Sequence, residues 1–327
     1  MRVAVLKGGR SLERGVSLRS GARVEDALER LGHEVLPLEA DGEMVKRLAA
    51  ERPDVAFVAM HGSGGEDGTA QELLEILGIP FTGPGVAACG RCMDKVLAKH
   101  ELRSAGVPTP DWFAFNETAF RELGAADALG GLEERLGFPL VVKPSRGGSA
   151  LGIKFAENWF DVPEALVSAF SYDDRVLLER FVDGRELAVS VLGDEPLPVV
   201  EAIPQSGDLY DFEARYEIGR TSFACPAALS AGEAAAVTEA ALGAYAALGC
   251  SGFSRVDLIL AAGGPQVLEV NAIPGLTDTS LLPQAAEAAG MSFEDLVAKI
   301  LDLAVDGDQS SRSGDAGRAT RGAHTGA

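Results

Sequence analysis

Short apolar runs alternate with segments of helical spacing along the N-terminal part of the chain. The runs predict strands at residues 3–6, 35–38, 54–60 and 80–82, with helices between them. The run at 54–60, DVAFVAM, is apolar at almost every position, which is typical of a parallel strand buried on both faces. The order β-α-β-α-β-α-β predicts a small doubly wound, Rossmann-like α/β domain over residues 1–84.

Two further units follow this domain. A helix is predicted from about Met93 to Ala105, and the prolines of the VPTP sequence end it. Strands and helices then alternate, and the predicted domains are residues 1–84, 85–178 and 179–306. The segment after Val305 has no aromatic or branched apolar residue, so residues 307–327 are predicted to form a disordered tail.

The stretch RVDLILAAGGPQVLEVNAIPG, residues 255–275, predicts a hairpin that carries polar residues within apolar strands. If it folds about Gly263, Asp257 lies opposite Glu269, and Arg255 lies opposite Asn271. Carboxylates that face each other across a ladder repel, and a hard cation with oxygen ligands would remove that conflict. The stretch therefore predicts a magnesium site. The alternative is a solvated face of an edge hairpin, with Arg255 neutralising one acid.

A glycine-rich loop at residues 147–152 is predicted between two strands. Its backbone N–H groups could close over phosphate oxygens, and Lys143 at the end of the preceding strand adds a positive charge. The loop is not a P-loop, because the G-x-x-x-x-G-K-[ST] order is missing. A plain hairpin turn fits the glycines equally well. The adjacent lysine and the separate magnesium hairpin favour a nucleotide.

Other candidate residues are individually weaker. Lys95 could be a second phosphate ligand, and Glu179 and Glu186 could accept hydrogen bonds from an adenine amine and ribose hydroxyls. Glu13 and His61 follow strands of the first domain, where the carboxyl ends of parallel strands gather ligands. Each of these residues alone also fits an ordinary structural or solvated role. The G-x-G-x-x-G dinucleotide motif is absent from the first loop.

Composition and charge narrow the classes of partner. The formal net charge of −20 disfavours binding to nucleic-acid backbones or anionic membranes. The apolar run near the N-terminus is too short for a signal peptide, and no run approaches a bilayer span, so we expect a cytoplasmic protein without membrane insertion. The four cysteines lack the spacing of a zinc site, and we expect reduced thiols.

Seven motifs, in this order along the chain, resemble those of the D-alanine–D-alanine ligases of the ATP-grasp fold. They are GGRSLERGVSLRSG, HGSGGEDGTAQ, FTGPGVAACGRCMDK, VVKPSRGGSALGI, YDFEARY, RVDL and EVNAIPGLTDTSLLP. The resemblance runs from Lys7 to about residue 300. It implies an ATP-grasp fold preceded by the small N-terminal domain.

The resemblance also implies a role for each matching residue. The residues that would hold ATP are Lys95, Lys143, Gly148, Ser149, Glu179, Phe181, Val182 and Glu186. The ligands of two Mg²⁺ ions, for which Mn²⁺ could substitute, would be Asp257, Glu269 and Asn271. The residues implied to bind the D-alanine substrates are Glu13, His61, Ser280 and Leu281. The residues implied to be catalytic are Glu13, Ser149, Tyr216, Arg255 and Gly275.

The activity so implied is ATP-dependent ligation of two D-alanines through an acyl phosphate, for peptidoglycan precursors, by a homodimer. The alternatives are a related ligase with another second substrate, such as D-lactate or D-serine, and a catalytically silent nucleotide-binding protein. Tyr216, within a predicted lid at about 205–222, favours the dipeptide over the ester. The sequence departs from the common pattern at Ala150, Ile273 and Arg215.

Overall fold

The computed structural model describes residues 1–124, 131–204 and 221–319. The first domain is a parallel sheet of order β2-β1-β3. Its strands are β1 (Arg2–Lys7), β2 (Glu34–Glu39) and β3 (Val55–Val58), and its helices are Arg14–Arg30, Met44–Glu51 and Thr69–Leu77. These strands and helices confirm the predicted alternation over this part of the chain. All four residues of β3 are buried, as its continuous apolar run indicates.

The strand predicted at residues 80–82 is reduced to a single bridge in the structure. Only one parallel bridge forms there, between Ala56 and Phe81. The next backbone donor of β3, the N–H of Val58, donates to the side-chain oxygen of Thr82 at 3.0 Å. The threonine hydroxyl therefore replaces the carbonyl that would have continued the ladder, and the pairing stops after one residue.

The helix predicted from about Met93 to Ala105 begins at Lys95 in the structure, and a separate helix precedes it. Two helices, Val86–Met93 and Lys95–Ser104, meet at Asp94, whose backbone is extended. The Asp94 carboxylate accepts hydrogen bonds from the N–H groups of Val96 and Leu97 and caps the second helix. Asp94 therefore ends one helix and begins the next.

The central unit is an antiparallel sheet of order β4-β7-β5-β6. Its strands are β4 (Trp112–Asn116), β5 (Leu140–Pro144), β6 (Lys154–Ala156) and β7 (Arg175–Arg180), and its helices are Glu117–Arg121, Leu132–Leu136 and Val162–Phe170. The two strands predicted around the glycine-rich loop are present as β5 and β6. The predicted boundary between residues 178 and 179 falls inside β7, so the change of sheet lies after Arg180.

The third unit is an antiparallel sheet of order β11-β10-β8-β12-β13, with β9 paired to β8. Its strands are β8 (Arg185–Leu192), β9 (Glu195–Pro196), β10 (Val200–Pro204), β11 (Thr221–Ala224), β12 (Phe253–Ala261) and β13 (Gly264–Asn271). Its helices are Ala231–Ala247, Leu281–Ala288 and Phe293–Ala319. One buried cluster joins this sheet to one face of the first domain, and it contains Val3, Phe57, Leu28, Phe253 and Ile300.

The last helix differs from the prediction for the tail. It runs on to Ala319, which gives helical backbone to residues 307–319 where the sequence predicts disorder. Extending an existing helix avoids the unfavourable nucleation of a new one, and this explains how weakly apolar sequence continues it. Residues 320–327 of the predicted tail lie outside the described residues.

Candidate active site

The hairpin β12–β13 has the register that the sequence predicts at its polar end. Asp257 pairs with Glu269 and Arg255 pairs with Asn271. A bulge after Asp257 then shifts the register by one residue toward the turn, so that Leu258 faces Val267. The bulge lies directly beside the acidic pair, a position where bulges re-aim side chains. The four polar side chains lie on one face of the hairpin, because alternate residues of a strand point to the same side.

Two cations offset the charge of the facing acids. The Arg255 guanidinium holds Asp257 through Nε and Nη2, at 2.7 and 2.8 Å from the two carboxylate oxygens. The Asn271 amide donates to Asp257 Oδ2 at 3.0 Å. Lys95 Nζ lies 3.4 Å from Glu269 Oε2. One part of the alternative is confirmed, because Arg255 does neutralise one acid, Asp257. Its other part, a solvated face, is wrong, because Arg255 and Asp257 are each only 12% exposed.

This hairpin fits a hard divalent cation. Asp257, Glu269 and Asn271 supply only oxygen ligands from one face, and Mg²⁺ is commonly held by one or two carboxylates together with substrate phosphates. Within residues 1–124, 131–204 and 221–319, no cluster of three or more His, Cys, Asp or Glu side chains forms a competing metal site.

A cleft of about 380 Å³ opens between the central sheet and the third sheet. Its apolar walls are formed by Val141, Ile153, Phe155, Phe181, Ile203, Ile259 and Leu268. The predicted ATP ligands Lys95, Lys143, Glu179, Phe181, Val182 and Glu186 all line it, and Glu269 of the hairpin closes one end. A slot with apolar walls, backbone edges and a cationic end has the shape and charge that a nucleotide requires.

Two lysines hold the carboxylate of Glu179 in the floor of this cleft. Lys143 Nζ donates to Glu179 Oε1, and Lys99 Nζ lies 2.6 Å from Oε2. Burial raises the pKa of Glu179, but the two ammonium groups outweigh burial and lower that pKa below its ordinary value. Burial also lowers the pKa of Lys99 to about 8, against the attraction of Glu179. Sequence reasoning missed Lys99, because nothing in the chain's local pattern links it to Glu179.

The glycine-rich loop lies between the cleft and a second, smaller cavity. Ser149 and Ala150 both adopt φ of 56°, a left-handed conformation that non-glycine residues rarely take and that is concentrated at functional sites. Lys95 Nζ donates to the carbonyl oxygen of Gly147 at 2.7 Å, and this bond connects the loop to the first turn of the helix Lys95–Ser104. Ala150 lines the cleft, and Gly148 and Ser149 line the smaller cavity.

The smaller cavity, of about 90 Å³, collects the residues predicted to act on the substrates. Its lining includes Glu13, His61, Ser149, Arg255, Gly275, Ser280 and Leu281. The Ser149 hydroxyl donates to Glu13 Oε1. Burial and the neighbouring charge of Glu66 raise the pKa of Glu13. Tyr216, predicted as the third member of this group, and Arg215 lie outside the described residues.

His61 is held at the base of this cavity from both of its ring nitrogens. Nδ1 lies 2.9 Å from the carbonyl oxygen of Ile273, and Nε2 lies 2.8 Å from Ser20 Oγ. A carbonyl oxygen can only accept, so Nδ1 carries a proton, and in the neutral ring the Ser20 hydroxyl then donates to Nε2. The ring is therefore fixed in one orientation. Ser20 is a second residue that sequence reasoning did not single out.

None of the helices within the described ranges is long and apolar enough to cross a membrane.

Comparison with known proteins gives consistent matches over nearly all of the chain. A family model described as D-ala D-ala ligase C-terminus matches residues 102–302, and one described as D-ala D-ala ligase N-terminus matches residues 41–84. A D-alanine–D-alanine ligase from Synechococcus is 42% identical over 97% of this chain and 98% of its own length. One from Anaeromyxobacter is 45% identical over 92% of this chain and 96% of its own length.

Solved structures agree with the sequence matches. A D-alanine–D-alanine ligase from Bacillus anthracis complexed with ATP is 33% identical, with a TM-score of 0.82 over 95% of this chain and 99% of its own. The VanG D-Ala:D-Ser ligase from Enterococcus faecalis is 30% identical, with a TM-score of 0.77 over 92% of this chain and 98% of its own. The predicted ATP-grasp fold is thus confirmed, and the chain belongs to the D-alanine–D-alanine ligase family.

Proposed function

We propose that this protein ligates two D-alanines to D-alanyl-D-alanine with conversion of ATP to ADP and phosphate. The observation that carries the proposal is the adjacency of three features. The nucleotide-shaped cleft, the acidic hairpin and the cavity around Glu13 share their lining, since Glu269 borders the cleft and Asn271 borders the cavity. A phosphoryl group can therefore pass from one compartment to a substrate carboxylate in the other.

Different residues of the cleft would bind different parts of ATP. The apolar walls would sandwich the adenine, and Glu179 and the backbone at Phe181 and Val182 would meet its polar edge. Lys95 and Lys143 would meet the phosphates, with the loop at 147–152 over them. Asp257, Glu269 and Asn271 would hold Mg²⁺, proposed as two ions for which Mn²⁺ could substitute. Bound there, the metal would supply positive charge that offsets the charge on the transferred phosphoryl group.

The first step joins the carboxylate of one D-alanine to the γ-phosphorus of ATP, and the bond from that phosphorus to the ADP oxygen breaks. Glu13 would bind the ammonium group of this D-alanine, and Ser149 would hold Glu13 in place through their hydrogen bond. The product of the step is an acyl phosphate, in which the carboxylate carbon has become a good electrophile. His61 is buried and Glu13 is half-buried, and both limit the access of water that would hydrolyse it.

The second step joins the amine of the other D-alanine to the activated carbonyl carbon. The amine attacks in its neutral form and a tetrahedral oxyanion develops. The carbon–oxygen bond to phosphate then breaks, and the leaving phosphate takes the proton that the nitrogen loses as the peptide bond forms. Arg255 and the N–H of Gly275 border the cavity where that oxyanion would lie. Ser280 and Leu281, at the start of the helix Leu281–Ala288, would take the carboxylate of this second substrate.

A ligase with a different second substrate is the alternative that a specific observation favours. The VanG D-Ala:D-Ser ligase from Enterococcus faecalis shares this fold. The proposed lid spans residues 205–222. Its residues 205–220, which include Tyr216, the residue proposed to select the dipeptide, lie outside the described residues. The departures at Ala150 and Ile273 replace none of the proposed ligands. Ala150 borders the cleft, and Ile273 is completely buried.

An assay with substrate pairs tests the proposal. Purified protein receives ATP and Mg²⁺ with D-alanine alone, or with D-alanine plus D-serine or D-lactate, while phosphate release and product mass are measured. We expect one phosphate per D-alanyl-D-alanine, and D-alanine as the preferred second substrate. Phosphate release without a dipeptide, or preferential formation of a mixed product, would contradict the assignment. A reaction without an amino acid measures background hydrolysis.

The cellular setting is proposed from the family alone. The dipeptide would serve peptidoglycan precursor synthesis in the cytoplasm, and the protein would act as a homodimer.

A further inference from the structure

The residue after Gly275 is held at both of its backbone polar groups by one helix of the first domain. The N–H of Leu276 donates to Ser20 Oγ at 3.1 Å. Its carbonyl oxygen accepts from Arg23 Nη1, also at 3.1 Å. Ser20 and Arg23 are three residues apart in the helix Arg14–Arg30, so they lie on one face of it.

The contacts of Ser20 reach further into the cavity. Its hydroxyl accepts from Leu276 and donates to His61 Nε2, which uses the oxygen lone pair and the hydrogen at once. The other nitrogen of His61 donates to the carbonyl of Ile273. The loop from Ile273 to Leu276 is therefore fixed at both ends by groups of the first domain. Ser20 is completely buried, so water cannot replace the hydroxyl without rearrangement.

Arg23 anchors the same loop from its outer side. Its Nε lies 3.0 Å from Asp278 Oδ1, and its guanidinium stacks over the ring of Phe293 at 3.7 Å from the centroid. The stacking fixes the plane of the guanidinium, and a fixed plane is what lets two nitrogens meet two separate acceptors. Arg23 thus links Leu276 and Asp278, which flank the turn that leads to Ser280.

The same helix begins next to Glu13, the residue proposed to bind the first substrate. Seven residues separate Glu13 from Ser20, which in an α-helix correspond to about 10 Å along the axis. A helix is stiff over that length. The distance between Glu13 and the loop that carries Gly275 is therefore set by the helix and its two bonds to Leu276.

We infer that Ser20 and Arg23 are positioning residues, which set the Gly275 amide and Ser280 at a fixed distance from Glu13. Neither side chain lines the substrate cavity, so both act through the 273–280 loop. The inference rests on the proposed function. It states that these two residues set the distance between the two substrate subsites. The second substrate, which would meet Gly275, Ser280 and Leu281, is the one whose binding depends on them.

Ser17 offers a matched control on the same helix. Like Ser20 it is completely buried, and its hydroxyl also makes two bonds, accepting from the N–H of Gly8 and donating to the carbonyl of Ala59. Those partners belong to the first domain alone. Ser17→Ala therefore removes the same chemistry from the same helix without touching the loop at 273–280.

The experiment compares Ser20→Ala with Ser17→Ala in the full-length enzyme. In Ser20→Ala we expect the Michaelis constant for the second D-alanine to rise about tenfold, as the loss of one to two buried hydrogen bonds implies, and that for ATP to change less than about twofold. Arg23→Ala should show the same split, and Arg23→Lys, which keeps a donor for Leu276, should recover part of it. Ser17→Ala should lower Tm as Ser20→Ala does and leave both constants unchanged.

Hydrogen exchange gives a readout that does not require turnover. Exchange of the peptide that covers residues 273–280 should be at least about tenfold faster in Ser20→Ala than in the wild type, and unchanged in Ser17→Ala. Equal exchange and equal kinetics in the two serine variants would overturn the inference. A wild-type protein that forms no dipeptide would instead contradict the proposed function, while the exchange comparison would still test the loop's attachment.

Discussion

The surroundings of the Glu13 carboxylate disfavour its negative charge. Burial and the nearby Glu66 raise its pKa, although the Ser149 hydroxyl and His61 act in the other direction. An acid with a raised folded pKa binds its proton more tightly in the folded state. Its contribution to stability is therefore most favourable below the unfolded pKa and is lost as pH rises through the folded value.

Replacing Glu13 with glutamine should stabilise the fold at neutral pH while it impairs catalysis. The amide keeps an oxygen that can accept from Ser149 and carries no charge to desolvate. We expect Tm of Glu13→Gln to exceed that of the wild type at pH 7.5, and the difference to vanish as pH falls below 4.5, the ordinary value for this group. Thermal melts across this pH range measure it. Glu29→Gln, an exposed position on the same helix, controls for net charge, and an equal gain there would contradict the argument.

Of the two hairpin acids, Glu269 is the one whose replacement should disturb the fold less. Asp257 is held by two bonds from Arg255, so its loss would leave a largely buried guanidinium without its partner. The repulsion that the sequence suggests between the acids is already offset by Arg255 and Lys95. Glu269 has a longer contact, 3.4 Å from Lys95, and its replacement disturbs less of the fold.

We expect Glu269→Gln to lower the turnover rate more than about 100-fold, because even partners one shell outside a metal's ligands contribute about 10- to 100-fold. Its Tm should stay within about 3 °C of the wild type, which corresponds to about 1 kcal/mol for a chain of this size. Steady-state kinetics at several Mg²⁺ concentrations and parallel melts provide the measurement. Glu195→Gln, on the exposed strand β9, is the charge-matched control. Normal turnover of Glu269→Gln at physiological Mg²⁺ would remove Glu269 from the metal site.

At the scale of elements, Asp94 connects the helix Lys95–Ser104 to the glycine-rich loop. Its carboxylate caps that helix, accepts from the Ser145 hydroxyl at 2.9 Å and lies 3.6 Å from an Arg175 nitrogen. Lys95 is the first residue after the cap and reaches both Gly147 and Glu269. The cap therefore orients a lysine that the proposed function places against phosphate.

Asp94→Ala should cost about 1–2 kcal/mol of unfolding free energy, the usual effect of losing a helix cap. It should also weaken ATP binding, because the first turn that presents Lys95 loses its bonds to Val96 and Leu97. Denaturant unfolding and calorimetric titration with ATP measure the two effects. Asn116→Ala removes a cap from the short helix Glu117–Arg121, away from the cleft, and should lower stability alone. Unchanged ATP affinity in Asp94→Ala would show that the cap does not position Lys95.

Elements with strong local signals were predictable from the sequence, and those decided by a distant partner were not. The buried run of β3 and the polar end of the hairpin β12–β13 occur as their patterns indicate. The helix Val86–Met93 and the extended residue Asp94 after it were not predicted. The side chain and backbone of Asp94 are held by Ser145, Arg146 and Arg175, which lie far away in the sequence. The bulge after Asp257 has no glycine or proline to signal it.

The same distinction holds in the site. Residues within recognisable motifs, such as Lys143 and Glu269, were predicted from the sequence and line the cleft. Lys99, Ser20 and Arg23 were missed, although each bonds a predicted site residue or its loop. Their partners lie far away in the sequence, and no local spacing reports such contacts.

At the scale of the whole molecule, two of the four buried apolar clusters among the described residues predict how stability is divided. One buried cluster runs from the first sheet through the helix Arg14–Arg30 to the third sheet and the helix Phe293–Ala319. A second cluster lies within the central unit and contains Leu140, Val142 and Leu166. The first and third units should therefore open together, and the central unit, which covers the cleft from its other side, should be able to open separately.

Two matched leucines test this division. Leu301, in the first cluster, and Leu166, in the second, are each 1% exposed, so truncation of either to alanine should cost about 2–5 kcal/mol. We expect Leu301→Ala to speed hydrogen exchange in both β1–β3 and β12–β13, because the helix Phe293–Ala319 contacts the helix Arg14–Arg30 and β3. Leu166→Ala should speed exchange in β4–β7 and leave β1–β3 protected. If Leu301→Ala changed only β12 and β13, the first and third units would not share one cooperative core. The positions of Glu13 and Gly275 would then depend on the hydrogen bonds of Ser20, Arg23 and His61 to the loop at 273–276.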